Sequence, residues 1–416
     1  MRILFFTENF PPETNAAATR VYERALYWIK KGHKVTVITS IPNFPLGKVY
    51  DGYINRYQKE KLDTIDVVRV KTYIASNKGM IRRIIDFLSF MVMGYLAAKK
   101  EERPDIVVST SPQFFAAVSA WWFSKRNGLP YVFELGDLWP ASIVAVGAMR
   151  QSFILDLLER LELRMYNDAD AVIALTRSFK KNLVARGVKS TKIAVIRNGV
   201  DTWRYIPTKR DHDFAKNLKI GSEFVVGYVG TLGMAHALEN VIDAAETLKE
   251  DKNICFLFAG AGAKYNYLQK ETENRGLKNI KFLPKQPKSK MQRVWSLCDV
   301  SLVHLKNSDV FSAVIPSKIF EAMSMGLPIL FAGPLGETSK IIQRTGSGIC
   351  IAPETPGLLA EKVVLLQRKP ELYQELAERS LASAALFSRE TQANHMIAVL
   401  EAVVSGNGEN VSSIRA

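Results

Sequence analysis

Apolar residues recur along the chain in two registers. Short unbroken runs rich in Val and Ile alternate with longer stretches in which apolar positions return every three or four residues. In the first half the unbroken runs are 2–7 (RILFFT), 34–39, 66–70, 105–110, 131–135, 171–175 and 193–196. Runs that are continuous rather than alternating predict parallel strands buried on both faces. The intervals are long enough for crossover helices. Segment 18–34 sets Val21, Ala25, Trp28 and Ile29 on one face and stops at Gly32, a suitable residue just past a helix end. Segment 198–223 breaks the pattern: it is polar, carries Gly and Pro, has no period, and reads as an interdomain connection with one short helix. A second series follows at 224–230, 254–260, 280–283, 300–305, 328–332 and 348–352, then a helix at 389–404 and a polar tail, 405–416, expected to be disordered. Alternating strands and helices predict an α/β fold of two doubly wound domains, 1–200 and 201–388. Ligands of such sheets bind beyond the carboxyl ends of the strands, so two sheets facing one another predict a deep cleft.

Composition narrows the picture. At 416 residues and 47% hydrophobic, the chain can bury two good-sized cores. Its three cysteines lack metal spacing, which suits small buried hydrophobes in a reducing cytosol. The N-terminus runs directly into polar residues, unlike a signal peptide. No apolar run reaches the roughly 18 residues of a spanning helix; the longest, 84–98, contains Asp86. The formal charge of +15 admits nucleic acid, an anionic membrane or a phosphorylated substrate as partner. Without zinc-finger spacing, a basic zipper or an RNA-binding aromatic signature, nucleic acid is set aside. Segment 77–100 gathers Lys78, Arg82, Arg83, Lys99 and Lys100 around an apolar, aromatic middle. That composition suits a helix lying in a membrane interface, and nearly as well a buried helix with a charged edge.

Three stretches are candidates for chemistry. In 228–248 a strand ends at Gly230, a small-residue loop follows, and a helix is expected from about Ala237. Gly230 and Gly233 would let backbone N–H groups reach an anion at a helix N-terminus, although any tight strand-to-helix turn also favours glycine. In 315–330, Pro316 suits a first helical turn and Gly326 its end; Ser317 and Glu321 share a face, with Lys318 adjacent to Glu321. A lysine opposing the helix dipole is accounted for by a bound anion, and a carboxylate beside Ile319, Phe320 and Met323 could accept from a ribose diol. The plain alternative is a Lys318–Glu321 surface ion pair. In 133–143, Asp137 directly follows a strand and could orient or deprotonate a hydroxyl, or simply stabilise its own turn. His304 falls at a strand end and His236 in the glycine loop, where a site wall would be. There is no Ser-His-Asp arrangement, Walker lysine loop or metal-ligand spacing.

Six stretches together resemble the retaining glycosyltransferases of family four, which have the GT-B fold, and within them the bacterial surface-polysaccharide subgroup with fucosamine transferase-like members. They are PPETNAAATR (11–20), GHKVTVITSIPNFPLGKVYDGY (32–53), DLWP (137–140), NGVD (198–201), YVGTLG (228–233) and IPSKIFEAMSMGLPIL (315–330). The resemblance covers about 1–400 and implies two Rossmann-like domains, the first binding acceptor and the second the sugar nucleotide, with helix 389–404 crossing back to the first. It implies a metal-independent retaining transfer with no cofactor, from a nucleotide diphosphate sugar, UDP-linked, to a polyprenyl-diphosphate-linked acceptor in O-antigen or capsule synthesis. The enzyme would be cytoplasmic and peripheral on the inner face of the cell membrane. Gly230, Thr231, Gly233 and His236 would approach the diphosphate with Ser317 and Lys318, and Glu321 would hold the ribose. Asn15, where relatives often carry glycine, would bring the first loop to the reaction centre and tolerate positive φ. Asp137 and Trp139 would contact acceptor, with Arg82 and Arg83 at the membrane. The departures are Thr231 and His236–Ala237 where relatives carry cations, Gly136 where they carry arginine, and Ala313 in place of the first of two glutamates. Lys318 would then supply the phosphate cation. Ala313 would face a sugar bearing a methyl or N-acetyl group, a 6-deoxy or 2-acetamido sugar; the alternative is that the Val314 and Ile315 amides do the glutamate's work and the sugar is ordinary. The rival readings are a sugar-nucleotide epimerase and a non-catalytic GT-B scaffold.

Overall fold

The computed structural model describes residues 1–45, 47–74, 80–111, 113–138 and 152–414. The expectations placed on Trp139 and on the Arg83 side chain lie outside these. The chain forms two compact units, Met1–Asn198 with Arg389–Ala416, and Gly199–Ser388.

The first unit is built on eight strands: β1 (Arg2–Phe6), β2 (Lys34–Ser40), β3 (Gln58–Leu62), β4 (Ile65–Val70), β5 (Ile106–Thr110), β6 (Tyr131–Leu135), β7 (Ala171–Ala174) and β8 (Ile193–Val195). Their order is β3-β4-β2-β1-β5-β6-β7-β8, parallel except for β3 against β4. Successive side chains of a strand face opposite ways. Ile3 and Phe5 therefore join Trp28 of the helix Ala16–Lys30 and Met396 and Leu400 of the helix Arg389–Val404 in one core. Phe6 instead meets Phe123 of the helix Phe114–Asn127. The Trp28 indole fixes the helix pair by donating to the Ala393 carbonyl at 2.9 Å.

The second unit holds β9 (Phe224–Val229), β10 (Ile254–Gly260), β11 (Ile280–Pro284), β12 (Val300–His304), β13 (Ile329–Ala332) and β14 (Gly348–Ile351). They run parallel in the order β11-β10-β9-β12-β13-β14. Chain direction across this sheet reverses between β9 and β12, and across the first between β1 and β5. Ligands of doubly wound sheets collect at such switch points.

The structure departs from the sequence pattern at two places. The tail is not disordered up to Ser413: Gly408–Ser413 forms a 3-10 turn, because Val411 is an apolar anchor and is wholly buried in the first core. The edge strand β3 carries the polar sequence QKEKL, so no apolar run marked it; it pairs with β4 through a tight turn in which Asp63 takes positive φ.

Candidate active site

At the switch point of the second sheet, β9 runs into Gly230, whose φ of +141° is a conformation side chains rarely adopt. The neighbouring strand makes the approach closer still, since a Cβ on Gly260 would lie 1.8 Å from the Gly230 carbonyl. The loop is tied on both sides. Leu232 N donates to Ala261 O at 3.0 Å, and Lys306 N donates to Ala235 O at 2.9 Å. The helix does not begin at Ala237. Met234–His236 form a 3-10 turn, Ala237 takes a left-handed conformation, and the helix proper is Glu239–Thr247. A 3-10 turn and a left-handed break shape this loop where a direct helix start was expected.

Lys318 opens the short helix Lys318–Ser324. Its Nζ is out of solvent, makes no hydrogen bond, and lies 3.6 Å over the centre of the Tyr228 ring. A Cβ at Gly230 would stand 3.0 Å from it, so the lysine end packs closely against the loop. Burial pulls this amine down to about 7, against the opposing pull of the Glu321 charge. His236, with Nδ1 3.1 Å from the His304 carbonyl, is pushed down to about 3 by burial and by the Lys318 charge, so it is a neutral wall. His304, likewise buried, falls to about 4.

Glu321 does not pair with Lys318. Its Oε1 accepts from Lys288 Nζ at 3.3 Å and its Oε2 from the Trp295 indole at 3.0 Å. Trp295 is wholly buried, so one face of the carboxylate is anchored to the core. Each carboxylate oxygen has a further lone pair, which leaves acceptor capacity for a diol. Lys288 and Trp295 were invisible to motif reading: one lies in a basic run (Lys285, Lys288, Lys290) and the other in an apolar one.

Of the remaining second-unit candidates, Thr231 is exposed, while Gly233 and Ser317 are half-buried. Ala313 and Ile315 are buried, and Val314 N is spent on the Phe311 carbonyl at 3.3 Å. Among the described residues, no three His, Cys, Asp or Glu side chains group as a metal site would.

In the first unit, Asn15 has φ of −70°, not a positive value. It caps the helix Ala16–Lys30, its Oδ1 accepting from Ala18 N at 2.8 Å, and a helix cap requires extended backbone. Asp137 is half-buried, with its backbone N and O each 3.4 Å from Ser111 Oγ. The arginine missing at Gly136 has a steric reason. A Cβ there would lie 2.3 Å from the Ser111 carbonyl and 3.0 Å from the guanidinium of Arg20. Arg20 itself is buried, pairs with Glu134 at 3.1 Å, and donates to Thr110 at 2.9 Å. Arg24 grips the same carboxylate at 2.7 and 2.8 Å.

The helix Met80–Ala98 has a buried face and an exposed one. Phe90, Ala97 and Ala98 are buried, while Ile84, Ile85, Leu88, Val92 and Leu96 are each 39–46% exposed, beside exposed Arg82, Lys99 and Lys100. Among the described residues, no helix is long and apolar enough to cross a membrane.

The chain is similar to known proteins along nearly its whole length. The Escherichia coli (strain K12) protein named for a colanic acid biosynthesis glycosyl transferase, WcaI, is 26% identical over 400 residues, spanning 92% of this chain and 96% of the relative. The structure of sucrose-phosphate synthase from Thermosynechococcus elongatus superposes with a TM-score of 0.78 at 14% identity, covering 97% of this chain and 99% of the other. Anabaena Alr3699/HepE, solved with UDP-glucose, gives 0.73 at 17% identity, covering 97% and 100%. The shared architecture is the GT-B fold. The family description "Glycosyltransferase Family 4" matches residues 17–204 and "Glycosyl transferases group 1" matches 209–382. Both units are thus accounted for in order, and the chain belongs to glycosyltransferase family 4.

Proposed function

We propose that the protein transfers a sugar, with retention and without a metal, from a nucleoside diphosphate sugar to a polyprenyl-diphosphate-linked saccharide in the assembly of a bacterial surface polysaccharide. The observation that carries this reading is the Lys318 ammonium, buried without a hydrogen-bond acceptor against Gly230 at the switch point of the second sheet. A buried donor without a partner is costly, and a diphosphate oxygen supplies the missing acceptor as well as the counter-charge. In this reading the leaving diphosphate is stabilised by Lys318 and by loop amides, a preorganised electrostatic contribution. Glu321, braced by Lys288 and Trp295, takes the ribose hydroxyls. The acceptor proton passes to the leaving phosphate, so no protein base is needed.

The name of the E. coli relative supports a polysaccharide role, and the Anabaena neighbour's ligand is in keeping with a UDP-linked donor. The buried methyl of Ala313, where a glutamate would bond sugar hydroxyls, supports a 6-deoxy or 2-acetamido sugar. The exposed apolar ridge of Met80–Ala98 with its basic ends supports a peripheral seat on an anionic cytoplasmic membrane face. The test is a comparison of UDP-glucose, UDP-N-acetylglucosamine and a nucleotide-linked N-acetylfucosamine with one lipid-linked acceptor, following linkage by NMR. Preference for plain glucose rejects the sugar assignment, and an inverted product rejects retention.

A further inference from the structure

At the switch point of the first sheet, three carboxamides from two loops converge. Asn9 and Asn15 lie on the loop after β1, and Gln113 lies after β5. Asn9 Oδ1 accepts from Asn15 Nδ2 and from Gln113 Nε2, each at 2.9 Å. Their orientation is forced from below. Asn9 also hydrogen-bonds Glu13, whose buried carboxylate takes Phe10 N at 3.2 Å and Asn43 and Phe44 N at 2.9 and 2.7 Å. An ionised carboxylate only accepts, so Asn9 must give it the amide nitrogen and turn its oxygen to the other two side chains. Asn15 and Gln113 must then offer nitrogen to Asn9. Asn15 spends its oxygen on Ala18 N, but Gln113 Oε1 is left buried with no hydrogen-bond partner. Gln113 is only half-buried as a residue and Asn15 likewise, so the pair stands at the margin of the loop cluster. Gln113 does not use its oxygen to cap the helix Phe114–Asn127, the common role for such a position.

The result is an acceptor atom held in one orientation through a chain of fixed amides, next to an amide nitrogen with a second hydrogen. A vicinal pair of hydroxyls complements that arrangement: one O–H donates to Gln113 Oε1 and the neighbouring oxygen accepts from Asn15 Nδ2. We propose that Gln113 and Asn15 form a hydroxyl-recognition subsite for the acceptor sugar, with Asn9 and Glu13 as positioning residues. This rests on the transferase reading of the first unit as the acceptor side.

The experiment uses the full chain and does not depend on turnover. Saturation-transfer NMR is recorded with millimolar methyl glycosides of glucose, galactose, fucose and glucuronic acid, on the wild type, on Gln113→Met and on Glu13→Gln. Thermal melting with UDP is run in parallel as the donor-side control. Methionine keeps the length of glutamine and removes both hydrogen-bonding groups. At least one glycoside should receive saturation from the wild type and lose it in Gln113→Met, with the UDP-induced melting shift unchanged. Where transfer is measurable, Gln113→Met should raise the acceptor KM about tenfold or more while the donor KM stays within about twofold. Glu13→Gln frees Asn9 to turn over, so at a temperature where the variant is folded it should weaken the same glycoside; its amide nitrogen cannot accept from the backbone, so the variant should also melt lower. A glycoside signal equal in wild type and Gln113→Met, or no signal in either, overturns the proposal. Loss of the UDP shift in the wild type would instead strike the donor reading.

Discussion

Replacing Lys318 by methionine should change how nucleotide binding is coupled to protons. In the free protein the amine is held at about 7 by burial, so at pH 8 it is about nine-tenths neutral. A diphosphate arriving at hydrogen-bond distance favours the charged form, and binding must draw a proton from solution. Isothermal titration of UDP in buffers of different ionisation enthalpy should therefore show uptake of about 0.9 proton at pH 8, falling to about 0.1 at pH 6 from this group. The nucleotide's own phosphate also titrates near 6, and the Lys318→Met titration subtracts it. The variant should take up no proton at pH 8. Its affinity for UDP should fall by the worth of one charge-assisted hydrogen bond, about 1.5–3 kcal/mol, or roughly 10- to 150-fold. Stability should move the other way. The folded chain binds this proton less tightly than the unfolded chain, whose amine titrates near 10.5, so this group's destabilising effect is greatest below pH 7 and is relieved between about 7 and 10.5. Lys318→Met should thus melt higher than wild type, by up to a few kcal/mol at about 1.4 kcal/mol per pH unit, most clearly at pH 6 and least at pH 9. Equal proton uptake by wild type and variant at pH 8 would refute the reasoning, as would a variant gain in stability that grows with pH.

Glu321→Ala should cost about 1–3 kcal/mol of stability by stranding the buried Trp295 indole, whereas Glu321→Gln, which keeps an acceptor oxygen, should melt near wild type; denaturant titration distinguishes them, and both should weaken UDP. Glu134→Gln should lower stability by about 3–5 kcal/mol, because Arg20 and Arg24 lose a shared buried counter-charge. Burial alone would raise the Glu134 carboxyl, but the two arginines outweigh it and hold it at about 2, so its contribution is present above about 4.5 and is lost as pH falls toward 2; acid titration of wild type against variant reads this directly. Leu88→Asp with Val92→Asp, or charge reversal at Arg82 and Arg83, should release the protein from anionic vesicles at moderate salt without unfolding it, since Leu88 and Val92 are 39% and 44% exposed; sedimentation with vesicles checks it.

The sheets were legible because their strands are buried on both faces. Thirteen apolar runs, from RILFFT to GICIA, fall within a residue of the strands at each end. The strand β3 was not, because an exposed edge needs no apolar run. At the switch point of the second sheet, glycine spacing and the lysine of PSKIFEA marked two segments that the structure brings together, Gly230 and Lys318. Proximity in sequence does not give the pairing: Lys318 and Glu321 are neighbours on one helix, yet the carboxylate turns to Lys288 and Trp295 from another segment. No local pattern announces such a long-range bond. The same holds for Arg20, which fills the space beside Gly136 from a helix more than a hundred residues earlier.

In the function proposed, Lys318 and the Gly230 loop hold a nucleoside diphosphate sugar whose sugar passes to a lipid-linked acceptor. The most direct measurement is release of nucleoside diphosphate by the full-length protein from a panel of nucleotide sugars, with and without a polyprenyl-diphosphate-linked saccharide. Release should require the acceptor, match product formation one for one, and fall by at least two orders of magnitude in Lys318→Met. Release that ignores the acceptor, absence of release with every donor, or full activity in Lys318→Met would contradict it.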